Sequence, residues 1–554
     1  MKKGTIFKLK LSAILFVLIF GAIYYYVTLP AINIHSPGLW KFVLVVLVIV
    51  SIVSAIRDIS DTINHNSKTF SIKKLSKKNH LFGFFFLVTI LVFFVFGIGF
   101  FLSSPVINAG KYKELVNISN GNFEKDIQQI SYDEIPLLDK ASAEIVGGRK
   151  MGTMVDYVSQ FEVGSDYTQI NYKGKPVRIT PLVYGNLLKW FTNRSDGIPA
   201  YISIDMATQN ADCIKLDDGI KYSKSEHFGR LIYRYIRFNY PTYIFDNINL
   251  EIDENGTPYW ICPVKDYTIG LFGGVTISNV VIVNAVTGEH TDYKVDEVPQ
   301  WVDHVYSADL LISYYDYYGT LQHGYLNSIL SQKGCLKTTE GYNYIALNDD
   351  VWVYTGITSV GGDESNVGFV LMNQRTAETK YYQIAGAEEF SAMSSAEGKV
   401  QNLGYTATFP LLLNISGEPT YFISLKDSAG LVKMYAMVNI QKYTVVATAT
   451  TTNECERQYK DMLISNNIQV DDNNAEPVKT TKITGTITKL ASAVVEGNTH
   501  YYIALNDGKN IYDIDVSKNL GIVLKNVGDT VSIEYNDISE SDTENIYKVI
   551  KVSE

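Results

Sequence analysis

A run of twenty-two residues without a charge, Leu81–Leu102, sets the first limit on this 554-residue chain. At about 1.5 Å rise per residue it is long enough to cross a hydrocarbon core of roughly 30 Å as a helix. Two more apolar runs precede it, Leu11–Leu29 and about Trp40–Ile56, so the sequence predicts three membrane-spanning helices. Lys2, Lys3, Lys8 and Lys10 stand before the first; Arg57, Lys68, Lys73, Lys74, Lys77 and Lys78 lie between the second and third. Basic flanks stay in the cytoplasm, which places the N-terminus inside and everything after the third span outside. A cleaved signal peptide over Met1–Ala31 is the competing reading; its apolar run is longer than a usual signal core and has no clear small-x-small cleavage site. Tyr24, Tyr25, Tyr26 and Trp40 suit an interfacial aromatic belt. Lys41 lies at a span edge where it can snorkel, which gives a transport path no support.

Charge divides the chain at the same place. Residues 1–80 hold eleven Lys or Arg against Asp58 and Asp61, a balance of +9; set against −10 for the whole chain, this leaves −19 for residues 81–554. An acidic domain lacks the clustered cations whose counterion release drives nucleic-acid affinity, so nucleic acid is set aside as a partner. Cys213, Cys262, Cys335 and Cys455 all follow the third span. In an oxidising compartment they allow two disulfides in any of three connectivities, and buried free thiols are the other reading. Their spacing fits neither a metal knuckle nor a redox pair, so no metal and no cofactor are expected.

The remainder is expected to be α+β and mostly antiparallel. Residues 103–145 are polar and mixed and read as a linker, with a helix over Tyr132–Ile145 from the spacing of Ile135, Leu138, Ala141 and Ile145. A second helical pattern, Ser223–Phe238, carries Arg230, Arg234 and Arg237 on one face, read as a solvated face in preference to an anion site. Elsewhere short apolar runs alternate with Gly, Asn, Asp and Pro, the grammar of strands and turns. Two internal echoes organise them. One is G-x-P with an aromatic at the fifth position: Gly197, Pro199, Tyr201; Gly256, Pro258, Trp260; Gly417, Pro419, Tyr421. The last two copies share Lys265-Asp266 and Lys426-Asp427 at one offset, which predicts a supersecondary unit used two or three times. The other is Y-I-A-L-N-D at Tyr344–Asp349 and Tyr502–Asp507, a strand running into a hairpin turn.

Helix Ser223–Phe238, strand Phe245–Asp253, turn Asn255-Gly256, strand Pro258–Val264 and the run Val280–Glu289 together resemble a PepSY module over about residues 223–293. Asn284 replaces that family's usual Asp, and the insert at Gly270–Gly274 is a further departure. The resemblance implies helix-plus-hairpin units outside the membrane and a role in regulating peptidases or sensing envelope state; no active residues carry over. Beyond the polar stretch 471–478, five strand patterns over residues 479–554, with a short link before Gly528-Asp529-Thr530-Val531, resemble an OB-like barrel. Its eight Lys against eleven Asp or Glu lack the electrostatic groove of a single-strand binder. The expected domains are therefore an anchor (1–102), a linker (103–145), a PepSY-like α+β domain (146–335), a second α+β repeat (336–470), a linker (471–478) and the barrel (479–554).

Catalytic signatures are sparse. Gly361–Glu364 spells the start of a cyclic-dinucleotide synthase signature, but Ser365 replaces the aromatic that follows it, and it reads as a surface turn. Gly270–Gly274 has no Lys-Ser/Thr after it and is no phosphate loop. Glu388-Glu389 reads as acidic surface. Asp303-His304 beside Trp301 is the one spot that merits inspection as a polar site. Thirty-nine tyrosines, including Tyr314, Tyr315, Tyr317 and Tyr318, suit strand packing or a recognition face. The candidate binding residues are thus Trp260, Lys265, Asp266, Trp301, Asp303, His304, Tyr421, Lys426 and Asp427, none catalytic. The expected function is a membrane-anchored envelope scaffold that binds a protein or glycan. An envelope hydrolase acting on peptide or wall polymer, with its site assembled from distant residues, is the alternative, and a PepSY-type regulator of a peptidase is another.

Overall fold

The three apolar runs are helices in the structure, a computed structural model that describes residues 3–63, 80–127, 135–347, 349–361, 365–468, 480–495, 498–506, 508–516, 519–536 and 546–553. They are α1 (Lys3–Thr28), α2 (Pro37–Ile63) and α3 (His80–Leu102), each with a stretch of at least 18 residues long and apolar enough to cross a membrane. Leu18, Leu87 and Phe93 are more than 60% exposed, as lipid-facing helices require. The basic residues Lys68–Lys78, the Gly362–Glu364 part of the glycine-rich turn and the polar stretch 471–478 lie outside the described residues. The chain forms two compact units, residues 1–470 and 471–554.

After α3 come α4 (Pro105–Tyr112), β1 (Ile118–Asn120) and then one pattern used four times: a helix followed by five antiparallel strands. The first copy is α5 (Lys140–Gly152), β2 (Phe161–Val163), β3 (Thr168–Tyr172), β4 (Lys175–Tyr184), β5 (Ile198–Asp205) and β6 (Ala211–Ile220). The second is α6 (Ile232–Asn239), β7 (Ile244–Phe245), β8 (Asn249–Ile252), β9 (Pro258–Ile269), β10 (Gly273–Asn284) and β11 (His290–Lys294). The third is α7 (Ala308–Thr320), β12 (Leu336–Thr338), β13 (Asn343–Leu347), β14 (Asp350–Ser359), β15 (Gly368–Asn373) and β16 (Thr379–Tyr382). The fourth is α8 (Glu389–Lys399), β17 (Thr406–Ala407), β18 (Leu411–Ile415), β19 (Glu418–Lys426), β20 (Val432–Asn439) and β21 (Val446–Ala449), closed by α9 (Thr452–Ser465). In every copy the two short strands share the long third one, the first pairing with its end and the second with its beginning.

Local chemistry repeats with the topology. The fourth strand ends on Asp205, Asn284, Asn373 or Asn439, whose Oδ1 accepts the backbone N–H groups two and three residues on at 2.8–3.1 Å. A short acceptor side chain thus closes each turn into the fifth strand. The turn into the third strand uses left-handed Gly174, Gly256 or Gly417, each followed two residues later by proline, and Asp349 in the third copy. The Gly197–Pro199 echo does not belong to this set: it opens the fourth strand, β5. Its true counterpart, Gly174–Pro176, escapes a search for an aromatic because the fifth position is Arg178.

Neighbouring copies share cores. The first and second meet around Tyr201, Ile232 and Trp260; the second and third around Val280, Leu311 and Val370; the third and fourth around Phe369, Ile423 and Tyr459. The fourth returns to the first through Lys426 to Asp139 at 2.6 Å and Gln209 to the Tyr435 hydroxyl at 3.2 Å. Residues 103–145 are built into this arrangement instead of hanging free as a linker. There β1 pairs in parallel with β16, and Ile127, Ile135 and Leu137 enter the third–fourth core. The helix expected over Tyr132–Ile145 starts at Lys140, where the Asp139 carboxylate accepts the Ser142 N–H at 2.8 Å; its expected first residues, 132–134, lie outside the described ones. The pattern over Ser223–Phe238 breaks into a turn, Phe228–Arg230, and α6. All four cysteines are free thiols, with Cys262 and Cys455 buried in different cores, so the two-disulfide reading is not realised.

The second compact unit is a closed five-stranded barrel. Its strands β22 (Thr480–Val495), β23 (Asn498–Leu505), β24 (Ile511–Asp515), β25 (Thr530–Asn536) and β26 (Ile546–Ser553) run in the order β22-β23-β24-β26-β25. The long β22 pairs with β25 by its first half and with β23 by its second, so one bent strand closes the sheet around Ile487, Ile503, Tyr512 and Ile533. Tyr344–Leu347 and Tyr502–Leu505 both lead into hairpins, one in a repeat and one in this barrel.

Gly256 has φ +80, where a β-branched side chain is strained by about 1–2 kcal/mol. Gly256→Val is therefore expected to speed amide exchange in the β8–β9 hairpin by about tenfold or more. Gly148→Ala, in α5 with open space around it, should leave exchange there unchanged or slower.

Candidate functional site

Polar groups converge at the junction with the membrane helices and at a buried acidic joint between repeats. At the first, the β9–β10 tip, Gly270–Gly274, is inserted between helices. Phe272 packs on Trp40 of α2 and on Phe96 and Phe100 of α3, with ring centres 6.3, 5.3 and 4.7 Å away. The Ser103 hydroxyl, just past α3, accepts the N–H groups of Leu271 and Phe272 at 2.9 and 3.1 Å while donating to the Gly99 carbonyl. The arginines expected on a solvated face lie here too. Arg237 is buried and donates to the carbonyls of Leu29, Tyr240 and Tyr243, and Arg234 sits 3.9 Å from the Tyr26 ring centre. Both donate to carbonyls at the end of α1, where the last turn leaves them without intrahelical partners; Arg237 is buried and Arg234 half-buried, so only part of this arginine face meets water.

Beside this junction is a cavity of ≈ 360 Å³ lined by Trp190, Arg194, Glu226, His227, Phe228 and Arg230 among others. Its floor is spent: the buried Glu226 carboxylate accepts the Tyr184 hydroxyl and the Trp190 indole N–H, both at 2.7 Å. Its rim is cationic, with Arg194 over the Trp190 and Phe191 rings and Arg230 donating to the Arg194 carbonyl. Burial, followed by the Glu226 contact, raises the Tyr184 hydroxyl far above its ordinary range. The site can hold an apolar or anionic group; it presents no activated nucleophile.

The second place contains Asp303 and His304. Glu251 of β8, fully buried, accepts the backbone N–H of Asp303 at 2.8 Å and of His304 at 2.9 Å. The Asp303 carboxylate accepts the Asn171 N–H of β3 at 2.7 Å, and His304 Nε2 lies 2.5 Å from the Gln169 carbonyl. Arg178 donates to Gln169 Oε1 at 3.1 Å. Burial pushes the Glu251 carboxyl up to about 7, and burial with the neighbouring Glu251 raises Asp303 well above the carboxylate range. Burial also lowers His304 to about 4. Burial and mutual repulsion both disfavour ionising the two carboxyls together, which favours a protonated form at the joint. No substrate reaches it while the repeats stay packed, since Glu251 and Asp303 are 0% and 1% exposed.

The other sequence candidates do not converge. Trp260 and Tyr421 occupy equivalent third-strand positions and are fully buried, the indole donating to the Tyr222 carbonyl and the hydroxyl to that of Ala387. Lys265 pairs with Asp246 at 2.8 Å, and Lys426 with Asp139. Asp266, within β9, accepts the next residue's backbone N–H, Asp427 accepts those of Ala429 and Leu431 in its turn, and Trp301 packs on Tyr259. Tyr314 and Tyr315 face the core, so the tyrosine run on α7 is packing. Glu389, read as acidic surface, is fully buried and accepts from Tyr354 at 3.0 Å and Asn366 at 3.2 Å. Sequence reasoning missed Glu226, Glu251 and Arg178 because an isolated charged residue in a strand or turn carries no sign that its partner is distant. Among the described residues no cluster of His, Cys, Asp or Glu is arranged to hold a metal.

The joint has a signed pH dependence. Glu251, raised from 4.5 to about 7, contributes stability that is lost as pH rises through that window; His304, lowered from 6.5 to about 4, contributes stability that is lost as pH falls through its own. The two oppose each other between pH 4.5 and 6.5. Glu251→Gln should make the slope of stability against pH more positive there, by at most about 1.4 kcal/mol per pH unit, in urea unfolding followed by tryptophan fluorescence. An unchanged slope would show that Glu251 does not carry the proton. The chain matches no protein-family model and no curated protein.

Proposed function

We propose that this chain is a membrane-anchored interaction scaffold of the cell envelope, non-catalytic, with its N-terminus in the cytoplasm and both compact units outside. The repeats are PepSY-like, the barrel is OB-like, and the partner is an envelope protein or polymer. The observation that carries this reading is the fourfold use of one helix-and-five-strand unit, because repetition multiplies surface of one kind, which suits binding better than a single reaction centre. The burial of Glu226, Glu251, Asp303 and Glu389 supports it further, since the groups best suited to acid–base chemistry are engaged inside the protein. The shared turn closed by Asp205, Asn284, Asn373 or Asn439 at the end of each fourth strand supports reading all four copies as one kind of unit, although only Asp205 is the family's usual Asp. The barrel's strand order supports the OB-like reading. The lysines flanking the spans support the orientation.

Crosslinking pull-down of the full chain from its native membrane, beside a chain lacking residues 471–554, tests the proposal. The expected result is a discrete envelope protein captured by the full chain and lost with the barrel. Turnover of a wall fragment or peptide, abolished by one substitution outside the membrane helices, would overturn it.

A further inference from the structure

Two short helices flank the membrane anchor with bare apolar faces. The first, Leu187–Asn193, lies in the connection between the third and fourth strands of the first repeat. It turns Trp190 inward and leaves Leu187, Leu188 and Phe191 at 62%, 76% and 62% exposure; Phe228, its ring 5.9 Å from Trp190, extends the patch. The second, Tyr325–Ile329, follows α7. Tyr325 packs, like Ala109 of α4, on the cluster of Tyr112, Ile269 and Leu321, while Leu326, Ile329 and Leu330 face outward, Leu330 at 78% exposure.

Their position names what covers them. The equivalent third-to-fourth-strand connection in the second repeat carries Phe272, already seated between α2 and α3. Phe228 and the end of α1 share one guanidinium: Arg234 donates to the Phe228 carbonyl at 2.8 Å and to the Tyr26 carbonyl at 3.5 Å. On the other side α4 starts three residues after α3 ends, with Val106 and Ile107 exposed beside the second helix. Both patches therefore continue the surface where the spans leave the bilayer. The first also carries Lys189, Arg194 and Arg230, as expected where an apolar face meets phosphate headgroups.

We propose that these helices are two feet lying in the interfacial layer of the bilayer on the globular side, their leucines and phenylalanines among the upper acyl carbons and the three basic side chains at the lipid phosphates. The protein would thus be held to the surface at two points besides its spans, which fixes the tilt of the repeats over the membrane.

Full-length Leu188→Trp, Leu330→Trp and, as control, Tyr443→Trp on an exposed part of the fourth repeat would be placed in nanodiscs of phosphatidylcholine with a minority of phosphatidylglycerol. Each would be compared with the unsubstituted protein, with and without lipids brominated at shallow acyl positions. The expected result is loss of about half or more of the added emission at positions 188 and 330 with brominated lipid, weak quenching by aqueous iodide, and the reverse at position 443. Added emission at 188 and 330 open to iodide overturns the proposal. Shielding from both quenchers also overturns it, because protein then covers the patch, and lipid quenching at one position alone overturns the two-footed arrangement.

Discussion

The Ser103 hydroxyl is the point from which the first compact unit hangs. It terminates α3 by donating back to Gly99 and accepts two N–H groups from the β9–β10 tip, so the end of a span and the apex of a sheet become one hydrogen-bonded object. Phe272 fills the space between α2 and α3 above it. Arg237 does the same work for α1 by satisfying the Leu29 carbonyl. A helix leaving lipid has unpaired carbonyls at its end, and supplying their donors from a folded domain fixes that domain to the anchor. Leu271, Phe272 and Arg237 come from the second repeat, while Asn108 and Tyr112 of α4 donate to the Leu102 and Ser103 carbonyls, and the chain after α4 joins the third repeat through β1.

Buried glutamates provide the next level of organisation. Glu226, just before α6, takes its donors from Tyr184 and Trp190 of the first repeat. Glu389, at the start of α8, takes its donors from Tyr354 of the third repeat and Asn366 beside it. Glu251 holds the backbone at Asp303 and His304, between the second repeat and the third, and Asp303 in turn holds the first. Apolar burial supplies most of the cohesion between neighbours, but it is indifferent to small changes of register. A buried carboxylate that must find two donors is not, and each glutamate selects one way for two similar sheets to meet.

Much of this organisation was legible in part. Gly256 and Gly417 with their prolines announced two copies of the unit, and Asn284 marked the turn that proved common to all four. The other copies were hidden because the short strands are only two to five residues long and the connections between third and fourth strands differ, which destroys constant spacing. In the first repeat Arg178 stands where the other copies have Trp260 and Tyr421, so the aromatic cue pointed to Gly197 instead. The arginines of α6 and the Glu388-Glu389 pair read as surface for the same reason: a charged side chain shows its type in the sequence, and its partners only in space.

What the sequence determined by itself is the anchor, the α+β character of the rest and the places where strands must turn. These follow from interactions within a few residues, or from a solvent that admits only uncharged helices, and neither depends on distant contacts. Tertiary structure alone decided that one unit occurs four times, that the arginines serve helix ends, and that the acidic groups form joints inside the protein. Each of those rests on pairs such as Leu29 with Arg237, Asn171 with Asp303 or Asp139 with Lys426, separated by more than a hundred residues, whose energies exist only once the chain has brought them within hydrogen-bonding distance.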